Sequence, residues 1–326
     1  MKIDPRQLEI LAAIVDSGGL SEGAASLAKS QPSLSRTVAM LEARLGTRLF
    51  HPRKRPLQPT DLCLRLAEEG RRILQAGAAA AEAVGSFRAG RAGAVRVGGT
   101  PVFMDGVIIS MIASFQMQNP DVRIDQSYGY APDLSEAIVN GALDFAICPL
   151  RPADLPAGLR FDPILPGRNV IACRDGHPLA KLHSVTAAGL LHYPWIAPPA
   201  GSPLYADLQR VLTEFGAGQA KITFSGGSLA AVMEVLSGSD SLTILPYSVV
   251  FTQRRQYRVR ALPIRIEHPD RRLGLLYGLE ATLSPPAQRL KAFVTSQFET
   301  LAATIQHQER QSLWRGYPPL SMVVPG

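Results

Sequence analysis

The sequence predicts a multi-domain α/β protein in three parts: a small helical module at the N-terminus, one long connecting helix, and a body of two α/β subdomains. Three observations predict it. Apolar residues recur at helical spacing through residues 5–45. A proline-free, alanine-rich stretch from 60 to 87 carries apolar positions spaced by fours and threes. From residue 94 onward, short β-rich runs alternate with amphipathic helical ones, as layered α/β folds require. A chain of 326 residues is long enough for several cores.

The first helix opens at Asp4-Pro5, a side-chain acceptor followed by a residue with no amide to satisfy, and Ser17-Gly18-Gly19 ends it. A second short helix covers about 21–28, where Gly23, Ala24 and Ala25 are small enough for another helix to approach closely. After Lys29-Ser30 a third helix runs from about Gln31 to Leu45, with Leu34, Val38, Leu41 and Leu45 on one face. Two short helices with a tight joint have the form of a helix-turn-helix, in which the first residues of the second helix meet base edges in the major groove. Gln31, Pro32, Ser33, Ser35 and Arg36 occupy that place. Amide and guanidinium groups form paired hydrogen bonds with purine edges, hydroxyls suit phosphates or bases, and Pro32 in a first turn forfeits no hydrogen bond.

Residues 51–60, HPRKRPLQPT, are too proline-rich for a helix. A hairpin or wing carrying Arg53, Lys54 and Arg55 would lie along the sugar-phosphate backbone or the minor groove. The charge distribution agrees. Residues 1–91 hold 14 Lys/Arg against 9 Asp/Glu, a net of +5, and the other 235 residues hold 20 against 18. A basic module thus precedes a nearly neutral body.

These residues resemble the winged helix-turn-helix of the LysR-type transcriptional regulators. The resemblance is carried by Gly23-Ala24, Leu27, Ser30-Gln31, Ser35, Val38, Leu41-Glu42, Leu45-Gly46 and Leu49-Phe50, and it spans nearly all of 5–75. Lys29 and Pro52 depart from the family pattern, and the segment after the wing survives as Pro59-Thr60-Asp61-Leu62-Cys63.

In the connecting helix, Leu62, Leu66, Glu69, Ile73, Ala76, Ala80, Ala83 and Phe87 form the seam of a two-helix packing. The resemblance implies a dimerisation helix here. A homodimer places two reading helices about one DNA turn apart and selects near-palindromic double-stranded sites. It further implies a homotetramer and contact with RNA polymerase; the three cysteines, far apart and odd in number, fit a reducing cytoplasm.

The body reads as strand AVRVGG, helix 103–117, strand VRIDQ, helix 133–140 and strand DFAIC. RNVIAC, YPWIA, helix 203–215, KITF, helix 228–237, SLTILP and RRLGLLYGL follow, and a last helix runs to about Ala302. This alternation predicts parallel sheets. Element order and the fragments NPDVRI, GALDFAI and GHPLA resemble the effector-binding part of the same family, a periplasmic-binding-protein-like body with two chain crossings. The implied division is a winged helix-turn-helix at 1–60, a linker helix at 61–90, an effector-binding domain at 91–304 and a tail at 305–326. Within the body, one subdomain takes 94–160 plus 267–303 and the other 165–264.

A ligand should lie in the cleft, at strand ends and helix N-termini, where open α/β sheets leave crevices and free amides receive anions. The candidates are Thr100, Pro101 and Val102 after the first strand, Ser202 and Pro203 at a helix start, and Gly226, Gly227 and Ser228 before another. Tyr128 and Tyr130 would form the floor. A carboxylate metabolite acting as co-inducer fits such a site, with no other cofactor expected.

Other chemistries find little support. The start of the chain lacks the apolar core and cleavage site of a signal peptide, and no 18-residue apolar run suits a membrane. Gly98-Gly99-Thr100 is not a dinucleotide fingerprint, no G-x-S-x-G elbow occurs, and the six histidines and three cysteines lack metal-ligand spacing. Cys148 and Cys173 lie in apolar strand text and read as buried inert thiols, against the alternative of a peroxide-sensing pair. A second functional class stays open at this point: an enzyme or solute-binding protein whose N-terminal helices are merely structural.

Overall fold

Helix α1 (Pro5–Asp16) starts where the sequence places it, with the Asp4 carboxylate accepting from the Arg6 amide at 3.0 Å. In this computed structural model the described residues are 3–52, 57–88, 93–182, 184–216, 220–279 and 283–311. They form two units, 1–93 with 140–142, and 94–139 with 143–326.

In the first unit α1 is followed by α2 (Leu20–Ser26) and α3 (Gln31–Leu45). Gly23 lets α2 close on α1: a Cβ there would stand 3.0 Å from the Ile14 Cα. Gly23 and Ala24 are buried, whereas Ala25 is exposed. Leu34, Val38 and Leu41 of α3 join Ile10, Leu11 and Ile14 in one core. Gly46 ends α3 with a φ of 67°, the left-handed conformation in which a missing Cβ avoids strain. The Glu42 carboxylate then accepts from the amides of Leu49 (2.7 Å) and Phe50 (3.4 Å), folding the chain back on α3.

A short antiparallel contact follows, with Phe50 opposite Pro59 and the His51 amide donating to the Gln58 carbonyl at 2.9 Å. This is the base of a wing. Its expected basic tip, Arg53, Lys54 and Arg55, lies outside the described residues. The Thr60 hydroxyl accepts from the Cys63 amide and starts α4 (Asp61–Arg88). Cys63, Ala67 and Gly70 are buried on α4, and a Cβ on Gly70 would fall 2.0 Å from the Leu8 carbonyl oxygen of α1. Of the expected seam, Leu62, Glu69, Ala76 and Ala80 are exposed, while Leu66 and Ile73 are half-buried. Ala83 and Phe87 lie outside the residues whose side chains are described.

The second unit contains β1 (Gly93–Gly99), α5 (Pro101–Phe103), a π-helical turn (Met104–Ile108) that leads into α6 (Ile109–Gln118), β2 (Val122–Tyr128), α7 (Ala131–Val139), β3 (Phe145–Leu150) and β4 (Leu159–Pro166). Next come β5 (Asn169–Arg174), α8 (Ala187–Leu190), β6 (Trp195–Ala197), α9 (Pro203–Glu214), β7 (Ile222–Ser225) and α10 (Leu229–Ser237). The series closes with β8 (Thr243–Pro246), α11 (Tyr247–Gln253), β9 (Val259–Ala261), β10 (Arg272–Gly278) and α12 (Pro285–Gln311).

One sheet has the order β2-β1-β3-β10-β4; a second has β8-β5-β9, with the β6-β7 pair attached through a Trp195–Leu242 bridge. The chain therefore passes between the sheets twice, after β4 and before β10. The sheets are mixed rather than parallel. β1 and β3, and β6 and β7, run parallel, but β10 is antiparallel to both β3 and β4, and β5 to both β8 and β9. A strand that re-enters its sheet from the other subdomain is not bound to the right-handed crossover of a strand-helix-strand unit.

β4, α8, α11 and β9 have no counterpart in the sequence reading. β4 holds Pro163 and Pro166, tolerable only because it is an edge strand. α12 also runs past 302 to Gln311, so the start of the expected tail is helical, with Ile305 buried and Gln308 accepting from Arg254 at 3.1 Å.

His177, fully buried, accepts from the Leu179 amide through Nδ1 and packs against Tyr193 at a ring distance of 4.5 Å. Burial pushes its pKa below the usual imidazole value, opposed by the Asp240 carbonyl.

Two predictions follow from packing and burial. Gly70→Ala should lower the urea midpoint of the first unit by the equivalent of about 1–3 kcal/mol through overlap with α1, despite the roughly 1 kcal/mol gain in helix propensity. Gly77→Ala, with nothing within 4 Å, should leave that midpoint unchanged or raise it. The lowered pKa of His177 means that the unfolded chain takes up its proton first as pH falls. Stability from this group is complete above about pH 6.5 and declines below it; His177→Gln should flatten that decline in urea midpoints measured against pH.

Candidate functional site

In the first unit, α3 turns three apolar side chains inward, and its first turn stands clear of that core. Leu34, Val38 and Leu41 are buried, and Gln31, Pro32, Ser33, Ser35 and Arg36 are all exposed. Ser30 caps the helix with extended backbone and no side-chain hydrogen bond. The result is a projecting helix tip that presents an amide, hydroxyls, a guanidinium and the positive end of a 15-residue helix dipole. It suits a polyanion whose edges also carry hydrogen-bonding groups.

In the second unit a cavity of about 110 Å³ lies among the strand ends and helix starts of the two sheets. One water needs roughly 10–15 Å³ on the same measure, so the space suits a small metabolite. Thr100 follows β1 and precedes α5, and its amide donates to the Ile147 carbonyl at 3.2 Å. Its hydroxyl is buried and lacks a hydrogen-bond partner. Ser202 and Ser228 cap α9 and α10, each oxygen accepting from an amide of its own helix (Tyr205 and Ala231, both 3.1 Å). An oxygen that accepts in this way still has its O–H to donate.

The cavity is lined by Thr100, Pro101, Val102 and Tyr130 from one subdomain and by Ser202, Pro203, Gly226, Gly227 and Ser228 from the other. Tyr128 does not line it. β2 ends at Tyr128, so the strand alternation that would place it beside Tyr130 stops there, and its hydroxyl donates to Asp105 at 2.5 Å. Sequence reasoning missed Arg168, Asn169, Tyr247 and Arg271, which come from the crossing segments and from the start of α11. Arg168 stacks on the Tyr247 ring at 4.6 Å. The buried Asp207 of α9 accepts from Asn169 at 2.7 Å and also from Arg271, tying both crossings to the helix that Ser202 caps. The only signal for Arg168, Asn169 and Arg271 was their nearness to the expected crossings; Tyr247 had none beyond following a strand.

The two subdomains also touch at the π-helical turn. The π-helical turn leaves the Gly106 carbonyl to accept from Gln253 Nε2 at 2.8 Å. A Cβ on Gly106 would stand 2.7 Å from Val249 of α11.

The three cysteines are free, fully buried, and each is pushed up to about 12 by burial. Cys148 and Cys173 belong to separate clusters of the core. Burial therefore keeps these thiols protonated at neutral pH, and the thiolate is the reactive form. Mild peroxide treatment of the folded protein should therefore leave Cys148 and Cys173 unlinked and unoxidised by mass spectrometry, and denaturant should make both reactive.

Residues 5–64 match the family described as bacterial regulatory helix-turn-helix protein, lysR family. Residues 88–299 match the LysR substrate binding domain. Among characterised relatives, the HTH-type transcriptional regulator GbpR of Azospirillum brasilense is 25% identical over 296 residues, covering 90% of this chain and 86% of that protein. Two solved structures share the fold. A full-length OxyR variant from Pseudomonas aeruginosa aligns over 92% of this chain and 95% of its own, with a TM-score of 0.59 and 17% identity. Full-length CbnR complexed with its target DNA aligns over 91% of this chain and 100% of its own, with a TM-score of 0.55 and 17% identity.

Proposed function

The chain belongs to the LysR family of transcriptional regulators, and from that premise we propose how its two units divide the task. The protein is a DNA-binding regulator with a substrate-binding body, not an enzyme, and the reading of the N-terminal helices as merely structural is set aside. The observation that carries the proposal is the outward row Gln31, Ser33, Ser35 and Arg36 on a helix held by three buried aliphatic residues. These residues, with Pro32 at the tip, read bases in the major groove, and the wing residues Arg53, Lys54 and Arg55 hold phosphate.

The working unit in this proposal is a homodimer. Its support is the row Leu62, Glu69, Ala76 and Ala80, which the chain leaves exposed along α4 while the opposite face packs on α1. Two such modules select a near-palindromic duplex, and pairs of dimers form the tetramer that approaches RNA polymerase in the cytoplasm. CbnR, solved with its target DNA, supports the same use of the shared fold. A small-molecule effector occupies the cavity around Thr100 and Ser202, with no cofactor beyond it. Among the described residues, no helix is long and apolar enough to cross a membrane.

Gel shifts on the region upstream of its own gene test the division. Arg36→Ala should cost about 1–3 kcal/mol on the specific site and relax sequence preference. Arg53→Ala should weaken all duplexes alike and reduce the slope of log affinity against log salt by about 1. The reverse pattern would overturn the assignment.

A further inference from the structure

The first turns of α3 present hydrogen-bonding groups to solvent, but the polar side chains of its second half are engaged within the protein. Thr37 turns its hydroxyl back to the Ser33 carbonyl at 3.0 Å, and Glu42 holds the amides of Leu49 and Phe50. Arg44 reaches Gln7 of α1 at 3.4 Å. What remains outward there is Ala39, Met40 and Ala43, all exposed. Arg36, Met40 and Ala43 stand at i, i+4 and i+7, on the face opposite the buried stripe of Leu34, Val38 and Leu41. Met40 is 56% exposed; among the described residues of α1, α2 and α3 it is the one large apolar side chain left open to solvent.

We propose that Met40 is a specificity-determining residue that recognises the C5-methyl group of a thymine in the major groove. The inference rests on the reading of α3 as the helix that enters that groove. A thymine offers there an acceptor oxygen and a methyl group, and an apolar side chain matches only the methyl. From Arg36 to Ala43 the helix rises about 10 Å, and the groove is about 12 Å wide, so a groove that admits Arg36 also receives Met40. Homeodomain helices space their base contacts at i, i+3, i+4 and i+7, a spacing that here falls on Arg36, Ala39, Met40 and Ala43. The two alanines keep the neighbouring surface low, and an unbranched thioether adapts its shape to the group it meets. A phosphate contact would need a cation or a donor, which methionine lacks. A subunit contact would need a broader apolar patch than one methionine between two alanines.

The test uses the full-length protein in gel shifts on a duplex from the region upstream of its own gene. Each thymine in turn is replaced by deoxyuridine, which removes the methyl group and nothing else. At one or more thymines in each half-site the replacement should weaken wild-type binding about three- to fivefold, as expected for one buried methyl. Met40→Ala should bind the unmodified duplex more weakly by a similar factor, with no further loss when deoxyuridine stands at those positions. Met40→Leu should keep the discrimination, and Arg36→Ala should keep it while losing preference elsewhere in the site. All three variants replace exposed side chains, so their urea midpoints should stay at the wild-type value.

Wild-type affinity that no deoxyuridine changes would overturn the inference and leave α3 standing as the reading helix. The same deoxyuridine loss in Met40→Ala would assign the methyl to another residue and overturn it as well; a dimer lost in sedimentation would then make Met40 a subunit contact. A wild-type protein that retards no duplex would overturn the reading on which the inference rests, a failure distinct from the other two.

Discussion

The body of this protein depends on one constraint: a single chain must pass between two sheets twice, side by side. Gly167 lies on the first passage, and a Cβ there would stand 2.0 Å from the carbonyl oxygen of Arg271 on the second. Only a residue without a side chain lets the passages lie against each other. Because they do, the residues on both passages, Arg168, Asn169 and Arg271, reach the same cavity. The buried Asp207 gathers Asn169 and Arg271 onto α9. Removing that carboxylate would leave buried donors unsatisfied, which costs more than the hydrogen bonds contribute.

The helical unit solves a different problem, that of holding a polar helix tip clear of its own fold. Leu34, Val38 and Leu41 sink one stripe of α3 into a core with Ile10, Leu11 and Ile14. Periodicity then sends Ser33, Ser35 and Arg36 outward, whereas Gln31, on the same face as Leu34 and Val38, is exposed because it begins the helix. Glu42 has a part in this that composition does not reveal. Its carboxylate gathers the amides of Leu49 and Phe50 and sets the wing's base against α3. α4 likewise has two faces, one fitted to α1 at Gly70 and one left to solvent.

Two buried features mark opposite uses of burial. The thiols of Cys63, Cys148 and Cys173 are enclosed, and the resulting desolvation raises their pKa values well above the ordinary thiol value. Thr100, one of the residues that line the cavity, is enclosed as well, and its hydroxyl has no partner. Among buried polar groups such exceptions are few.

The sequence by itself determined the helices of the first unit almost to the residue, because their signals are local: the Asp4-Pro5 start, the glycine at 46, and leucines at helical spacing. It also determined the order of most strands and helices in the body and the positions that begin α9 and α10, since serine caps and strand runs are read within a few residues. It did not determine strand direction, which depends on where β10 re-enters its sheet, nor the edge strand β4, whose prolines disguise it. Tyr128 and Tyr130 looked equivalent until the end of β2 separated them. Arg168 and Arg271, 103 positions apart in the chain, became neighbours of one cavity only through the double crossing. Local chemistry fixes elements and caps over a few residues; partners brought together across a hundred are decided by packing alone.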